Sequence, residues 1–207
     1  MRKIEYKKDY KELYLPPQTP TVLEVPTMNF FMIDGKGDPN APEFGETMQA
    51  LYSLSYGIRM MPKSGMTPEG YYEYTVFPLE GVWDLESDAR DFTVLDKSKL
   101  VYTVMIRQPD FVTESLAEEI LFQTRKKKPN PALERVRFGA MTDGLAVQMM
   151  HIGSYDDEPA SFARMEDFCA QNGYRRIEYV HREIYLNDPR KTAPDKLKTV
   201  LRFRVGK

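Results

Sequence analysis

Apolar positions 28–33, "MNFFMI", run almost unbroken into the turn residues of "DGKGDPN". That pattern predicts a buried strand ending in a Gly-Asp-Pro turn. Pro42 then stands where a first helical turn tolerates it, and Phe44, Met48, Leu51 and Tyr52 recur at helical spacing. Gly57 marks a possible stop, with continuation through Met60 and Met61 as the alternative. "YYEYTVFPLEGVWDL" at 71–85 reads as a strand or bent strand, and "KLVYTVMIRQ" at 99–108 as another.

The same order returns in the second half. "LAVQMMHIGSYDDEP" at 145–159 is a strand ending in an acidic turn, and Pro159 again opens a helix. Its stripe is Phe162, Met165, Phe168 and Cys169, and Gly173 closes it. "RRIEYVHREIYLND" and "KTVLRFRV" supply two more strands. Between the halves, residues near 113–128 read as a joining helix. Ser115 and Glu118 have capping-box spacing, Leu116, Ile120 and Leu121 form the buried stripe, and Pro129 ends the helix. The N-terminal "LYLPPQTPTVLEVP" is Pro-rich and expected to lie extended on the body. The pattern predicts one α+β domain over 1–207, with strand–helix–strand–strand repeats at about 28–110 and 144–207. A mostly antiparallel sheet with helices on one face follows.

Composition narrows the function. Of 207 residues, 42% are hydrophobic and 29% charged, as in an ordinary globular protein. A net charge of −2 offers no bulk electrostatic case for nucleic acid. Arg125, Lys126, Lys127 and Lys128 suit a helix C-terminus better than an anion site or a membrane. Cys169 stands alone, so no internal disulfide forms, and two histidines with one cysteine argue against structural zinc. The charged N-terminus lacks a signal-peptide apolar region, and no stretch approaches a membrane span. A cytoplasmic protein without metal or cofactor is the expectation. The 13 Tyr, 11 Phe and 12 Met suit an adaptable pocket, although most such residues are simply core.

The candidate chemistry lies on the strand at 179–186. Tyr179, His181, Glu183 and Tyr185 alternate with Val180, Ile184 and Leu186. If helices cover the Ile184 side, the polar-aromatic side faces away from them. A carboxylate among rings is desolvated, which raises its pKa and fits it to act as a base or as counter-charge to a cation. The alternative is an exposed face on which Glu183 pairs across strands with Arg202 and Arg204. Trp83 and Tyr185 occupy comparable places in the two repeats and face one groove if the repeat is real. Tyr72 and Tyr74 share one face of their strand, and Tyr102 is another pocket candidate. "GKGDPN" lacks phosphate-loop and dinucleotide spacing and reads as a turn. His151 and His181 lack a serine or cysteine at a nucleophile turn, and Cys169 on its apolar stripe is expected buried and inert.

Four stretches resemble the GyrI-like small-molecule-binding family: "EIYLNDPRKTAPDKLKTVLRFRV" at 183–205, "FFMIDGKGDPN" at 30–40, "YTVFPLEGVWD" at 74–84 and "VYTVMIRQPDFVT" at 101–113. The resemblance implies the tandem repeat already read, with a ligand groove between the halves. In relatives fused to DNA-binding helices a groove-floor carboxylate meets cationic drugs, and Glu183 matches it. No helix-turn-helix precedes the first strand here. The chain resembles instead the stand-alone branch, some members of which hydrolyse the cyclopropane of DNA-alkylating cyclopropanoids in an aromatic cage. On that resemblance Trp83 and Tyr185 are the firmest cage residues, Tyr155 and Phe111 further members, and Glu183 and Tyr185 the catalytic candidates. With Tyr72, Tyr74, Tyr102 and His181 these are the expected ligand contacts. The expected partner is a small aromatic or cationic ligand, not nucleic acid or membrane. Sequestration without turnover, and a topoisomerase-modulating protein contact, are the alternatives.

Overall fold

The computed structural model describes residues 2–87 and 96–207. Its elements follow the expected repeated order: β2 (Met28–Lys36), α3 (Pro42–Met60), β3 (Leu79–Leu85) and β4 (Leu100–Arg107), then β6 (Gly144–Ile152), α5 (Glu158–Gln171), β8 (His181–Tyr185) and β9 (Lys198–Gly206). To these are added α1 (Tyr6–Asp9), α2 (Lys11–Tyr14), β1 (Thr21–Val25), the joining helix α4 (Glu114–Lys127), β5 (Arg137–Met141) and β7 (Arg175–Arg176). Contacts divide the chain into two units. The first holds residues 1–5, 28–79 and 84–141, and the second residues 6–27, 80–83 and 142–207.

In the first unit, β2 pairs antiparallel with β4 and β5, placing Phe31 beside Ile106 and Phe138. Helix α3 buries Phe44, Leu51, Leu54 and Ile58, and α4 buries Ala117, Ile120 and Thr124. Gly57 does not stop α3. A Cβ there would lie 3.0 Å from Ile120 Cδ1, so the glycine lets the two helices approach, and the helix runs on to Met60. The cap of α4 also differs from expectation. Thr113 is the N-cap, its Oγ1 accepting from the Leu116 N–H at 3.2 Å, and Ser115 lies inside the first turn. Residues 71–78 form no extended strand, only an isolated parallel bridge from Tyr74 to Ile4, because Pro78 lacks the N–H a ladder needs.

In the second unit the strand order is β1–β6–β9–β8–β3, every pairing antiparallel, with β7 also on β9. The Pro-rich N-terminal stretch thus ends in a true strand, Thr21–Val25, whose Val25 side is fixed by pairing with Gly144. Register then decides what each face carries. Met149, Leu201, Glu183 and Gly81 form one row across the strands. Gln148, Arg202, Arg182 and Val82 form the next row, on the opposite face.

Helix α5 packs on the first of these faces. Its Met165 and Cys169 close a core with Val147, Met149, Leu201, Phe203 and Val205, and Phe162 and Phe168 border it. Cys169 is buried there, and burial pushes its thiol pKa up. The helix therefore covers the Glu183 side of β8, not the Ile184 side expected from alternation. Arg182 explains the reversal. It shares the Ile184 face, which alternation marks as apolar, and is buried there by ion pairs to Glu80 and Asp143, each 2.7 Å. Arg202 joins that network through Asp143 Oδ2 at 3.4 Å and donates also to Gln148 and the Leu13 carbonyl, and Tyr14 of α2 donates to Glu80. Arg204 pairs with Glu178. Neither arginine pairs with Glu183.

Candidate functional site

The central strand pair of the second unit brings five of the sequence candidates together. Trp83 lies on β3, and His181, Glu183 and Tyr185 project from alternate positions of β8. Tyr155 lies in the single 3-10 turn Tyr155–Asp157 that leads into α5. Gly81 stands directly opposite Glu183 in the ladder. A Cβ at Gly81 would come within 2.4 Å of Trp83 Nε1, so the missing side chain lets the indole fold back along its own strand. The indole is 5% exposed.

A directed chain of hydrogen bonds follows. Trp83 Nε1–H donates to the Tyr185 hydroxyl at 2.7 Å, and that hydroxyl donates to Glu183 Oε2 at 2.7 Å. The other carboxylate oxygen, Oε1, lies 2.9 Å from His181 Nε2 and accepts from it. The ring of His181 is held edge-on by Phe162, 4.7 Å between centroids. Tyr155 meets Tyr185 edge-to-face at 5.9 Å. The Glu183 side chain is only 12% exposed, so both its oxygens spend their hydrogen-bonding capacity in a largely dry setting.

The residue that sequence reading missed is Glu158. It opens α5, is 6% exposed, and shares a side-chain hydrogen bond with Glu183. Burial above all, then the charge of Glu183 and the hydrogen bond to it, push the Glu158 pKa up to about 10. At neutral pH Glu158 therefore carries its proton and is the donor of the pair, as in other sites where two carboxyls cannot both ionise. The neighbouring phenols respond alike. Burial first, then the charges of Glu158 and Glu183, push Tyr155 up to about 12. Burial and the Glu183 charge push Tyr185 well above the ordinary phenol range. Both phenols keep their protons. In the sequence, Glu158 looked like one more acid in "DDEP", where a carboxylate at a helix start is ordinarily a dipole-stabilised, ionised group. Only the packing of α5 on the sheet brings it to Glu183.

The other candidates belong to the first unit. Tyr72, Tyr74 and Phe111 form a cluster with Tyr71, their rings 5.3–6.3 Å apart. Tyr74 is buried and donates to the Ser55 carbonyl. Tyr102 stands with Phe44, 5.4 Å between rings, and lies over Gly35.

The fold repeats a strand–helix–strand–strand order, and its second unit sets Glu158 and Glu183 beside Tyr155 and Tyr185. Residues 18–205 match the GyrI-like small molecule binding domain, and the chain belongs to that family. No curated protein matches the sequence. Among solved structures, a hydrolase from Listeria innocua is 39% identical with a TM-score of 0.89, over 99% of this chain and 100% of that one. An uncharacterized conserved protein from Listeria innocua is 40% identical with a TM-score of 0.91, over the same shares. The EcmrR C-terminal domain, 14% identical over 91% of this chain and 98% of that one with a TM-score of 0.51, shares the fold. Among the described residues no helix is long and apolar enough to cross a membrane.

Proposed function

We propose that the chain binds flat aromatic electrophiles beside Glu183 and opens them by adding water, with spirocyclopropyl dienones of the DNA-alkylating cyclopropanoid kind as the substrate class. The carboxyl pair carries this reading. Glu158 holds a proton at neutral pH and is hydrogen-bonded to Glu183, whose oxygens also accept from Tyr185 and His181. A carboxyl that keeps its proton beside a second carboxyl is equipment for acid–base catalysis. The hydrolase description of a close Listeria innocua relative supports water as the second reactant.

The oxygen of water bonds to the cyclopropane methylene carbon as the ring C–C bond breaks. The released electron pair flows through the dienone to its carbonyl oxygen, and the six-membered ring becomes aromatic. The proton of water passes to Glu183, and the proton of Glu158 passes to the new phenolate. Transfer from Glu183 to Glu158 across their hydrogen bond restores both groups. Tyr185, fixed by Trp83, orients Glu183, and Tyr155 offers a face or edge to the flat substrate, worth roughly 0.5–1.5 kcal/mol for a well-placed ring pair. The substrate is already activated, so positioning supplies much of the acceleration.

The test is turnover. Protein at substoichiometric amount is incubated with a spirocyclopropyl dienone, and ring-opened product is followed by mass spectrometry. Product beyond the molar amount of protein is expected. Tight binding with no product above the protein-free blank would replace the hydrolase with a passive sequestrant.

A further inference from the structure

The second unit also buries a titratable side chain to which this chemistry gives no task. His151, at the end of β6, is 4% exposed. Its Nε2 lies 2.9 Å from the Ser154 carbonyl oxygen, and its Nδ1 lies 2.9 Å from Ser161 Oγ. A carbonyl oxygen only accepts, so in the neutral ring Nε2 carries the proton and Nδ1 accepts from the Ser161 hydroxyl.

Those two bonds tie three segments together. Ser154 caps the turn that carries Tyr155, its own Oγ accepting from the Asp156 N–H at 3.2 Å. Ser161 lies one turn into α5 and shares the helix's buried stripe with Glu158 and Met165. Gly153 makes the arrangement possible. Its φ is 141°, and a Cβ there would sit 3.4 Å from His151 Nε2, so glycine leaves room for the ring under the turn. His151 also belongs to the cross-strand row His151–Thr199–Tyr185, which places it on the site face of the sheet. The resemblance to a serine–histidine catalytic pair ends with access. Ser161 is 7% exposed, so its hydroxyl is sealed among these groups and acts as a ligand to the ring, not as a nucleophile.

We infer that His151 is a positioning residue for the carboxyl pair: by gripping Ser154 and Ser161 it sets the turn of Tyr155 and the first turn of α5, so that Glu158 is held against Glu183. The inference rests on the acid–base reading of that pair, and its test separates the two.

The variants are His151→Phe, which keeps a ring but no hydrogen bond, and Ser161→Ala, which removes one hydroxyl. Each is read by ¹³C NMR titration of the Glu158 carboxyl and by steady-state turnover. Both variants should release the Glu158 proton at a pH lower by about one unit, because the carboxyl is freer to reach solvent. Both should lower kcat by about 10- to 100-fold with little change in KM, as expected for a misplaced acid. The double variant should be no worse than the single ones, because both remove one linkage. Ser161→Thr, which retains the hydroxyl, should titrate like the parent. Where His151→Phe fails to fold, Ser161→Ala carries the same comparison. Folded variants in which Glu158 titrates as in the parent would overturn the inference. A parent without turnover would sink the hydrolase reading, while the Glu158 titration would still decide whether His151 is a brace.

Discussion

Glu183 owes its character to what surrounds each oxygen. Tyr185 and His181 donate to it, and the carboxyl of Glu158 is hydrogen-bonded to it. Glu183→Gln removes the proposed base but keeps the size and an acceptor for Tyr185. Turnover should fall by roughly 10²–10⁴-fold, the usual contribution of a general base, with an unchanged unfolding transition by circular dichroism. Unchanged kinetics in that variant would take Glu183 out of the reaction. Trp83→Phe isolates the indole N–H from the ring, because the ring remains and only the donor to Tyr185 is lost. It should reduce kcat more than it reduces affinity for a flat ligand. The opposite split, measured by calorimetry beside kinetics, would make Trp83 a ligand platform and not a support for Tyr185.

At the scale of elements, the sequence was informative about order and reticent about faces. Pro42 and Pro159 open helices near where helical spacing places them, and apolar runs at 28–33 and 145–150 become β2 and β6. Alternation along 179–186 correctly set Glu183 and Tyr185 on one side of β8. It assigned that side away from the helix because Arg182 was left out of the pattern. A buried arginine satisfied by Glu80 and Asp143 makes its face as dry as an apolar one, and such pairing between distant segments leaves no periodic trace. Glu158 was hidden for the same reason, since its partner is 25 residues away. Two substitutions test the element-level account. Gly81→Ala puts a Cβ into the indole, so the Trp83–Tyr185 hydrogen bond should break, seen as a shifted Trp fluorescence maximum and reduced turnover. An unshifted spectrum would mean the ring is not seated on Gly81. Thr113→Ala removes the α4 cap and should cost about 1 kcal/mol in denaturant unfolding. Ser115→Ala, at the position the sequence pattern favoured, should cost less.

For the molecule as a whole, the GyrI-like family and the repeated strand–helix–strand–strand order were both legible from the residues. The protonation state of the site was not, because it depends on burial and on a carboxyl–carboxyl contact made by folding. It has a measurable consequence for stability. The folded-state pKa of Glu158, about 10, is raised above its ordinary value of 4.5. Between those values the folded state holds a proton that the unfolded state has lost, so stability is full below the lower value and falls as pH rises toward the upper one. The loss is at most about 1.4 kcal/mol per pH unit in that window. Glu158→Gln, neutral at every pH and still a donor to Glu183, should be more stable than the parent at pH 9. The difference should shrink toward pH 5, and parallel stability curves would contradict a buried, protonated Glu158.

Water addition by the carboxyl pair is read by running turnover of a spirocyclopropyl dienone in ¹⁸O-labelled water with the parent protein and with Glu183→Gln. The parent should turn over many times, with one ¹⁸O in the new hydroxyl of each ring-opened product, and the variant should be slower by roughly 10²–10⁴-fold. Unlabelled product, or labelled product formed equally fast by the variant, would contradict it.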